Sequence, residues 1–142
     1  MGMLARVSKE SDLLSIKSSG IEGRGVFARV PIPKGTFIIE YTGEKIPKKE
    51  GSRRDRLQKR QGRFYVFDLN SKWDIDGATG GDARLINHSC EPNCKYQKKD
   101  GKIWIVALRN IKKGEELTYD YEESEKGTYP CHCGAKKCKG TL

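Results

Sequence analysis

Short apolar runs bounded by glycine, proline or charged residues recur along this chain. Residues 36–41, 64–69 and 103–108 are rich in β-branched and aromatic side chains, a composition typical of strands. The sequence Lys-Asp-Gly-Lys at 99–102 separates the last of these runs from residues 95–98 and predicts a hairpin turn. Sixteen glycines supply further chain reversals. We therefore expect a mainly β fold with minor helix.

One segment departs from this strand-and-turn pattern. Residues 45–63 are strongly polar, and a helix is predicted within them at 49–61. Leu57 is the single large apolar residue of the predicted helix, so it has almost no apolar face. We therefore expect this helix to be exposed and mobile.

Charge is distributed unevenly along the sequence. The net charge is +9, and basic residues concentrate in segment 45–63 and at 136–139, while the stretch 115–125 is acidic. Solvated surface is the simplest interpretation of each cluster taken alone. As a set, they suggest that the acidic stretch receives a basic protein substrate. The basic segment 45–63 would then contact DNA or another acidic partner.

Length and composition limit the class of protein. A chain of 142 residues with 35% hydrophobic and 33% charged residues suits one domain with a real core and a charged surface. No apolar run approaches the roughly 20 residues that span a bilayer, and the first residues lack the apolar core of a signal peptide. We expect an intracellular protein with no membrane contact, located in the nucleus on chromatin if eukaryotic and in the cytoplasm if microbial.

A polar quartet, Asn-His-Ser-Cys at 87–90, lies at the centre of the stretch 84–94 and follows an apolar pair. Pro92 and Asn93 then predict a turn. A run this polar cannot form a core by itself, so its groups should face a ligand or another segment. The expected partners are the segment Glu-Leu-Thr-Tyr-Asp-Tyr at 116–121 and the cysteine-rich end of the chain.

Three closely spaced cysteines near the C-terminus predict a structural zinc site. Cys131, Cys133 and Cys138 lie within eight residues, a spacing that favours metal over disulfides. Tetrahedral zinc needs a fourth ligand. The candidates for it are Cys90, Cys94, His88 and His132. His132 lies between two expected ligands, so it is poorly placed to bind the same ion. Three unliganded thiols are the alternative interpretation.

The order of the motifs resembles that of a known family. They are residues 23–25, 40–44, 84–94, 114–121 and 131–138. Over residues 13–142 the chain is similar to SET-domain protein lysine methyltransferases with a post-SET zinc motif, most of all to trithorax-type and related histone methyltransferases. The resemblance implies a SET-domain (β-clip) fold with a C-terminal pseudoknot. It divides the chain into an N-terminal segment 1–12, a SET domain 13–122 and a post-SET zinc tail 123–142.

The resemblance also implies S-adenosyl-L-methionine as cofactor and one structural Zn²⁺ ion. The implied cofactor-binding residues are Glu22, Gly23, Arg24, Tyr65, Arg84, Asn87, His88, His132 and Leu142. The implied zinc ligands are Cys90, Cys131, Cys133 and Cys138. In this pattern Cys94 is not a ligand.

Three tyrosines are the catalytic residues that the resemblance implies. Tyr121 would orient the amine or polarise the methyl group, and Tyr41 would form a wall of the lysine channel. Tyr119 occupies the family's tyrosine/phenylalanine switch, which implies mainly mono- or di-methylation of a histone tail or another basic protein. For any one of them, the alternative is a core tyrosine with a satisfied hydroxyl. For the whole protein, the alternatives are a catalytically inactive SET-fold module that binds chromatin or nucleic acid, and a nucleic-acid-binding protein.

Overall fold

The computed structural model describes residues 10–121, which contain short strands, two helices and two 3-10 turns. Helix α1 spans Glu10–Leu13 and helix α2 spans Lys48–Arg60. The 3-10 turns are Gly77–Thr79 and Asp82–Leu85. The strands in chain order are β1 Leu14–Ser18, β2 Arg24–Ala28, β3 Phe37–Glu40, β4 Glu44–Pro47, β5 Val66–Asp68, β6 Trp73–Asp76, β7 Asn87–His88, β8 Cys94–Lys99, β9 Lys102–Ala107 and β10 Thr118–Tyr119.

The strands form three antiparallel sheets and one parallel pair. Strand β1 pairs with β2, the order of the second sheet is β3-β9-β8, and that of the third is β4-β6-β5. Strands β7 and β10 pair in parallel. The predicted hairpin is confirmed: Asp100 and Gly101 connect β8 to β9 with φ of 52° and 75°, as a two-residue turn with both central residues at positive φ requires.

One buried cluster connects these small sheets. Val26 of β2, Ile105 of β9 and Leu117 just before β10 each have 0% exposure. Ile38 of β3 and Phe67 of β5 belong to the same cluster. Full burial of such a side chain stabilises a fold by about 1.5–3 kcal/mol. The shared core therefore sets the positions of strands that are too short to be stable alone.

Helix α2 is docked against the third sheet, and the expectation of an exposed helix was wrong for this face. Gly51 is buried, and a Cβ at this position would overlap the Asp74 side chain. Arg54 Nη1 donates to Asp76 Oδ2 at 3.1 Å, and Gln58 Nε2 donates to Asp76 Oδ1 at 3.1 Å. The apolar pattern could not predict this docking because glycine and polar side chains make the contacts.

Strand β4 was also missed from the sequence. It pairs with β6, and Ile46 is its one buried residue, at 3% exposure. Because Ile46 is flanked by Glu44, Lys45 and Pro47, the segment shows no alternation of apolar and polar residues from which a strand could be predicted. The mainly β fold with minor helix is nevertheless confirmed. Within residues 10–121, neither helix has the length and apolar composition needed to cross a bilayer.

Candidate active site

Two segments that are distant in sequence run side by side at the candidate site. In the parallel pair of β7 and β10, Asn87 lies opposite Thr118 and His88 lies opposite Tyr119. The expected meeting of the polar quartet with the tyrosine-rich segment is therefore present. The pseudoknot implied by the family resemblance stays a prediction, because residues 122–142 lie outside the described part of the chain.

Asn93 holds this pairing in place from the turn after the quartet. Its side chain is 3% exposed, and its Nδ2 donates to Glu116 O at 2.8 Å. Thr118 N donates to Asn93 Oδ1 at 2.9 Å. A buried amide that satisfies both a backbone C=O and a backbone N–H of the same segment is costly to remove. The sequence identified Asn93 as a turn residue, and the structure adds that it positions β10.

An aromatic cluster surrounds the paired strands. The ring centroids of Tyr119 and Tyr121 are 4.8 Å apart, and Phe64 lies 5.5 Å from Tyr121. Phe67 connects the cluster to Tyr41, with centroid distances of 5.8 Å to Tyr119 and 4.3 Å to Tyr41. The three tyrosines suggested as catalytic residues thus belong to one set of contacting rings. Contacting aromatic rings of this kind form a largely apolar wall that carries a few hydroxyl groups.

Two of these tyrosine hydroxyls donate to backbone carbonyls. Tyr121 Oη donates to Ile86 O at 2.6 Å, and Tyr41 Oη donates to Tyr65 O at 2.8 Å. Burial raises the pKa of Tyr41 well above 10.0, and the nearby Tyr121 and Asp76 raise it further. Tyr41 therefore stays protonated at physiological pH. In each case the phenol oxygen keeps acceptor capacity, because its proton is already committed to a carbonyl.

His88 is buried between the Tyr121 backbone and Cys90. Its exposure is 5%, and Tyr121 N donates to His88 Nδ1 at 2.9 Å. Since Nδ1 accepts, the neutral ring carries its proton on Nε2, which lies 3.3 Å from Cys90 Sγ. Asp120 Oδ1 is 3.6 Å from Nδ1. His88 thus links a candidate zinc ligand to the backbone of a candidate catalytic residue.

Asn87 reaches from β7 to the turn between β1 and β2. Its Nδ2 lies 3.0 Å from Glu22 O and 3.2 Å from Arg24 O. Gly23, between them, has φ of 45°, and no heavy atom lies within 4 Å of the position of a Cβ there. The turn is therefore exposed at Gly23, while the carbonyls of residues 22–24 accept hydrogen bonds from Asn87 and Ser19. This arrangement brings four of the implied cofactor residues together.

Two further cofactor candidates, Tyr65 and Arg84, come from other segments of the chain and lie near Tyr41. Tyr65 is half-buried, and its N donates to Gln58 Oε1 at 3.3 Å. Arg84 is half-buried, and its Nη1 donates to Gly81 O at 3.2 Å. His132 and Leu142 lie outside the described residues, so their implied roles stay predictions.

Zinc binding also stays a prediction. Residues 10–121 contain no group of three or more His, Cys, Asp or Glu side chains arranged to hold a metal. Three of the four implied ligands, Cys131, Cys133 and Cys138, lie beyond that range. Cys94 is 1% exposed, and burial raises its thiol pKa to about 12. A protonated buried thiol is a poor metal ligand, which favours the half-buried Cys90 over Cys94.

Two carboxylates of the acidic stretch, Glu115 and Glu116, contact neighbouring side chains, and residues 122–125 of that stretch lie outside the described part of the chain. Glu115 Oε2 accepts from Arg109 Nη2 at 2.5 Å. Glu116 Oε2 accepts from Ser19 Oγ at 2.8 Å and from Asn87 Nδ2 at 2.9 Å. Both carboxylates therefore serve internal contacts. The sequence showed the charges but not these partners, of which Asn87 and Ser19 lie 29 and 97 positions from Glu116.

Sequence reasoning also missed aromatic residues of the cluster and the cavity beside it. Tyr96 lies with its ring 5.1 Å from Phe67 and 6.4 Å from Tyr119. A cavity of about 400 Å³ opens here between β8 and β10, and Asp120 lies on its wall. The signal was present in β8, where Cys94 and Tyr96 are two positions apart and face the same side of the strand.

Comparison with known proteins identifies the family. The SET domain model matches residues 23–122. That range includes the β7–β10 pair and most of the described fold, so the chain belongs to the SET-domain family. This result confirms the resemblance inferred from the motifs.

The relatives found in the same comparison carry consistent names. Over 130 residues the chain is 44% identical to the human protein named Histone-lysine N-methyltransferase 2D, covering 85% of this chain and 2% of that protein. It is 41% identical to Histone-lysine N-methyltransferase trithorax of Drosophila virilis, covering 100% of this chain and 4% of the relative. It is 40% identical to the H3 lysine-4 specific enzyme of Emericella nidulans, covering 96% of this chain and 12% of the relative. The chain thus spans a small fraction of each relative.

Proposed function

We propose that the chain is an S-adenosylmethionine-dependent protein lysine N-methyltransferase that acts on a histone tail or another histone-like basic protein. The observation that carries this proposal is the aromatic cluster where β7 and β10 meet, in which Tyr119 and Tyr121 are 4.8 Å apart. The names of relatives at 40–44% identity support the same activity. The alternative is an inactive SET-fold module that binds chromatin or nucleic acid.

Such a cluster suits a reaction that needs a neutral amine. The unperturbed pKa of lysine is about 10.4, so its amine must lose a proton before it can attack. An apolar, desolvated channel disfavours the ammonium form and lowers that pKa. Tyr41, Phe67 and Tyr119 belong to the buried core, so they can wall such a channel. S-adenosylmethionine, when bound, supplies the methyl group from a positively charged sulfur.

Tyr121 is the residue best placed to orient the reacting groups. Because its hydroxyl proton is donated to Ile86 O, its phenol oxygen is left as an acceptor. An acceptor can hold an amine N–H or stabilise the positive charge that the methyl group carries in the transition state. Alignment of the reacting atoms in a rigid channel can contribute up to about 7–11 kcal/mol in model systems.

Tyr119 would control the degree of methylation. Its side chain is 3% exposed and its ring contacts Tyr121, so its hydroxyl competes for space near the amine. We propose mainly mono- or di-methylation. Tyr119 also borders the cavity of about 400 Å³.

Within the described part of the chain, we propose that the cofactor is bound by Glu22, Gly23, Arg24, Asn87, His88, Tyr65 and Arg84. From the tail, His132 and Leu142 would add to this set.

The zinc ion would be held by Cys90, Cys131, Cys133 and Cys138. A closed set of four thiolates would make that site structural. Elemental analysis of the purified full chain should find one zinc per chain, with Cys90→Ser reducing it and Cys94→Ala leaving it unchanged. An active, folded preparation without metal would contradict this site.

The direct test of the activity uses labelled S-adenosylmethionine and a panel of histone-tail peptides. We expect methyl transfer to lysine, found by mass spectrometry and lost when that lysine is replaced by arginine. An unreactive chain that still binds S-adenosylhomocysteine and a histone peptide would instead support the inactive binding module.

A nucleic-acid contact through segment 45–63 is a second proposal, and it would suit a protein acting on chromatin. Arg53, Arg56 and Arg60 are exposed on α2, three and four positions apart and thus on one side of the helix. We expect the double variant Arg56→Glu/Arg60→Glu to weaken DNA binding and reduce its salt dependence. Reversal of Lys112 and Lys113, exposed in a different turn, is the control. Equal losses from both pairs would point to net charge alone.

A further inference from the structure

The carboxylate of Glu116 lies at the centre of a hydrogen-bond network beneath the turn that we assign to the cofactor. Ser19 Oγ lies 2.9 Å from Glu116 Oε1 and 2.8 Å from Oε2, and Asn87 Nδ2 lies 2.9 Å from Oε2. Ser19 also accepts from Ile21 N at 2.9 Å, and its own N donates to Gly23 O at 2.8 Å. Glu116 therefore connects the base of the turn to the polar quartet.

The three partners of the Asn87 amide nitrogen determine which way the amide faces. Glu22 O, Arg24 O and the Glu116 carboxylate lie 3.0, 3.2 and 2.9 Å from Nδ2, and all three can only accept. The nitrogen must face them, so Oδ1 must face the other way. Glu116 is the strongest of the three acceptors because it is a carboxylate. Without Glu116, reversal of the Asn87 amide would therefore cost less free energy.

The second glycine of the Gly-Arg-Gly motif has a physical reason in the same network. A Cβ at Gly25 would overlap the Glu116 carboxylate and crowd Ser19. Gly25 is buried on β2, and its φ is not in the positive range, so backbone strain is not the reason for glycine here. The Glu116 carboxylate occupies the space in which a side chain at position 25 would lie.

We propose that Glu116 is a positioning residue for cofactor binding. It holds the Asn87 amide in one orientation, with Oδ1 presented as an acceptor for an N–H donor of the cofactor, and it fixes the turn through Ser19. The hydrogen bond from Asn87 Nδ2 to the Glu116 carboxylate also polarises the Asn87 amide, which makes Oδ1 a better acceptor. This inference rests on the proposed function, because it assigns the turn and Asn87 to S-adenosylmethionine.

The test is the dissociation constant of S-adenosylhomocysteine, measured by calorimetry on the full chain. Glu116→Gln keeps the volume of the side chain but removes its charge, and its amide NH₂ can face Asn87 as a donor. We expect the dissociation constant to rise roughly tenfold or more. The KM for a histone peptide, measured at saturating cofactor, should change less than about twofold, because Glu116 does not act on the peptide.

Glu115→Gln is the matched control. It makes the same change one position earlier, at a carboxylate that pairs with Arg109 at 2.5 Å rather than with Asn87. It should lower thermal stability while leaving the affinity for S-adenosylhomocysteine within about twofold. If Glu116→Gln fails to fold, Ser19→Ala provides the second variant, with an expected loss of affinity of roughly threefold or more, because it removes the hydrogen bond to Glu116 and the one from Ile21 N.

The outcomes separate this inference from the proposed function. Unchanged affinity in Glu116→Gln, or equal losses in both glutamate variants, would overturn the positioning role. A wild-type chain that binds S-adenosylhomocysteine but methylates no basic protein would overturn the proposed function, and the affinity ratio would still decide the role of Glu116. A wild-type chain that does not bind the ligand would overturn both.

Discussion

The tyrosine cluster and helix α2 are held in place by different kinds of interaction. Around the cluster, Tyr121 and Tyr41 each donate a neutral hydrogen bond to a backbone carbonyl, at 2.6 and 2.8 Å. Around α2, Arg54 contacts Glu44 and Asp76 through charged groups. The first set consists of neutral groups with no charge to screen, whereas the second depends on charges, of which Arg54 and Glu44 reach solvent.

The two regions differ because the tyrosine cluster would have to support a reaction, whereas α2 only has to dock against a sheet. A channel that must keep lysine neutral is served by a neutral, desolvated wall, because desolvation disfavours the ammonium form. A helix with almost no apolar face can dock only through polar contacts, which salt weakens where they are exposed. We expect salt to affect α2 more than the tyrosine cluster.

The largest expected effect is that of Tyr121→Phe. The variant loses the phenol oxygen and its bond to Ile86, so turnover should fall roughly 100-fold or more, while the dissociation constant of S-adenosylhomocysteine changes little. Steady-state kinetics together with calorimetry would show this. Tyr96→Phe makes the same change elsewhere in the aromatic cluster and should cost far less. Unchanged turnover in Tyr121→Phe would remove this residue from the mechanism.

Next in size is the effect of removing one arginine of α2. Arg54→Met should lower the free energy of unfolding more than Arg53→Met does, because Arg54 is a charged partner of the buried Asp76. The Arg53 side chain is 56% exposed, so its removal should change the urea midpoint little. Urea unfolding at low and high salt measures both. Equal costs for the two arginines would contradict the docking described for α2.

Tyr119→Phe should change the products more than the rate. With the hydroxyl removed and the cavity adjacent, higher methylation states should increase, while turnover stays within roughly threefold. Mass spectrometry of peptide products over time would detect the shift. If the variant gives no higher methylation than the wild type, Tyr119 does not control the degree of methylation here.

The smallest expected effect concerns acid stability at Glu115. Its pKa is held at about 2, below the usual 4.5, first by the hydrogen bonds from Arg109 and against the opposing effect of burial. Because the folded-state pKa is depressed, this contribution is fully present above pH 4.5 and is lost as the pH falls towards 2. The stability difference between wild type and Arg109→Met should therefore shrink over that range in urea titrations. A difference that stays constant with pH would refute this assignment.

The sequence alone was sufficient for the elements with a local signal. The β8–β9 hairpin was predicted from a charged turn containing glycine between residues 95–98 and the apolar run 103–108, and α2 was placed within one residue at each end. By contrast, β4 has one buried residue, and no local pattern could identify it.

For the candidate site, the residue types were visible in the sequence and their partners were not. The sequence determined that Asn87, His88, Tyr119 and Tyr121 belong to two characteristic motifs, because motifs are local arrangements of letters. The tertiary structure decided that Tyr121 bonds a carbonyl 35 positions away and that Asn87 bonds a carboxylate 29 positions away. Those pairings depend on how the strands pack, since a hydrogen bond requires a distance and a direction in space that no spacing along the chain specifies.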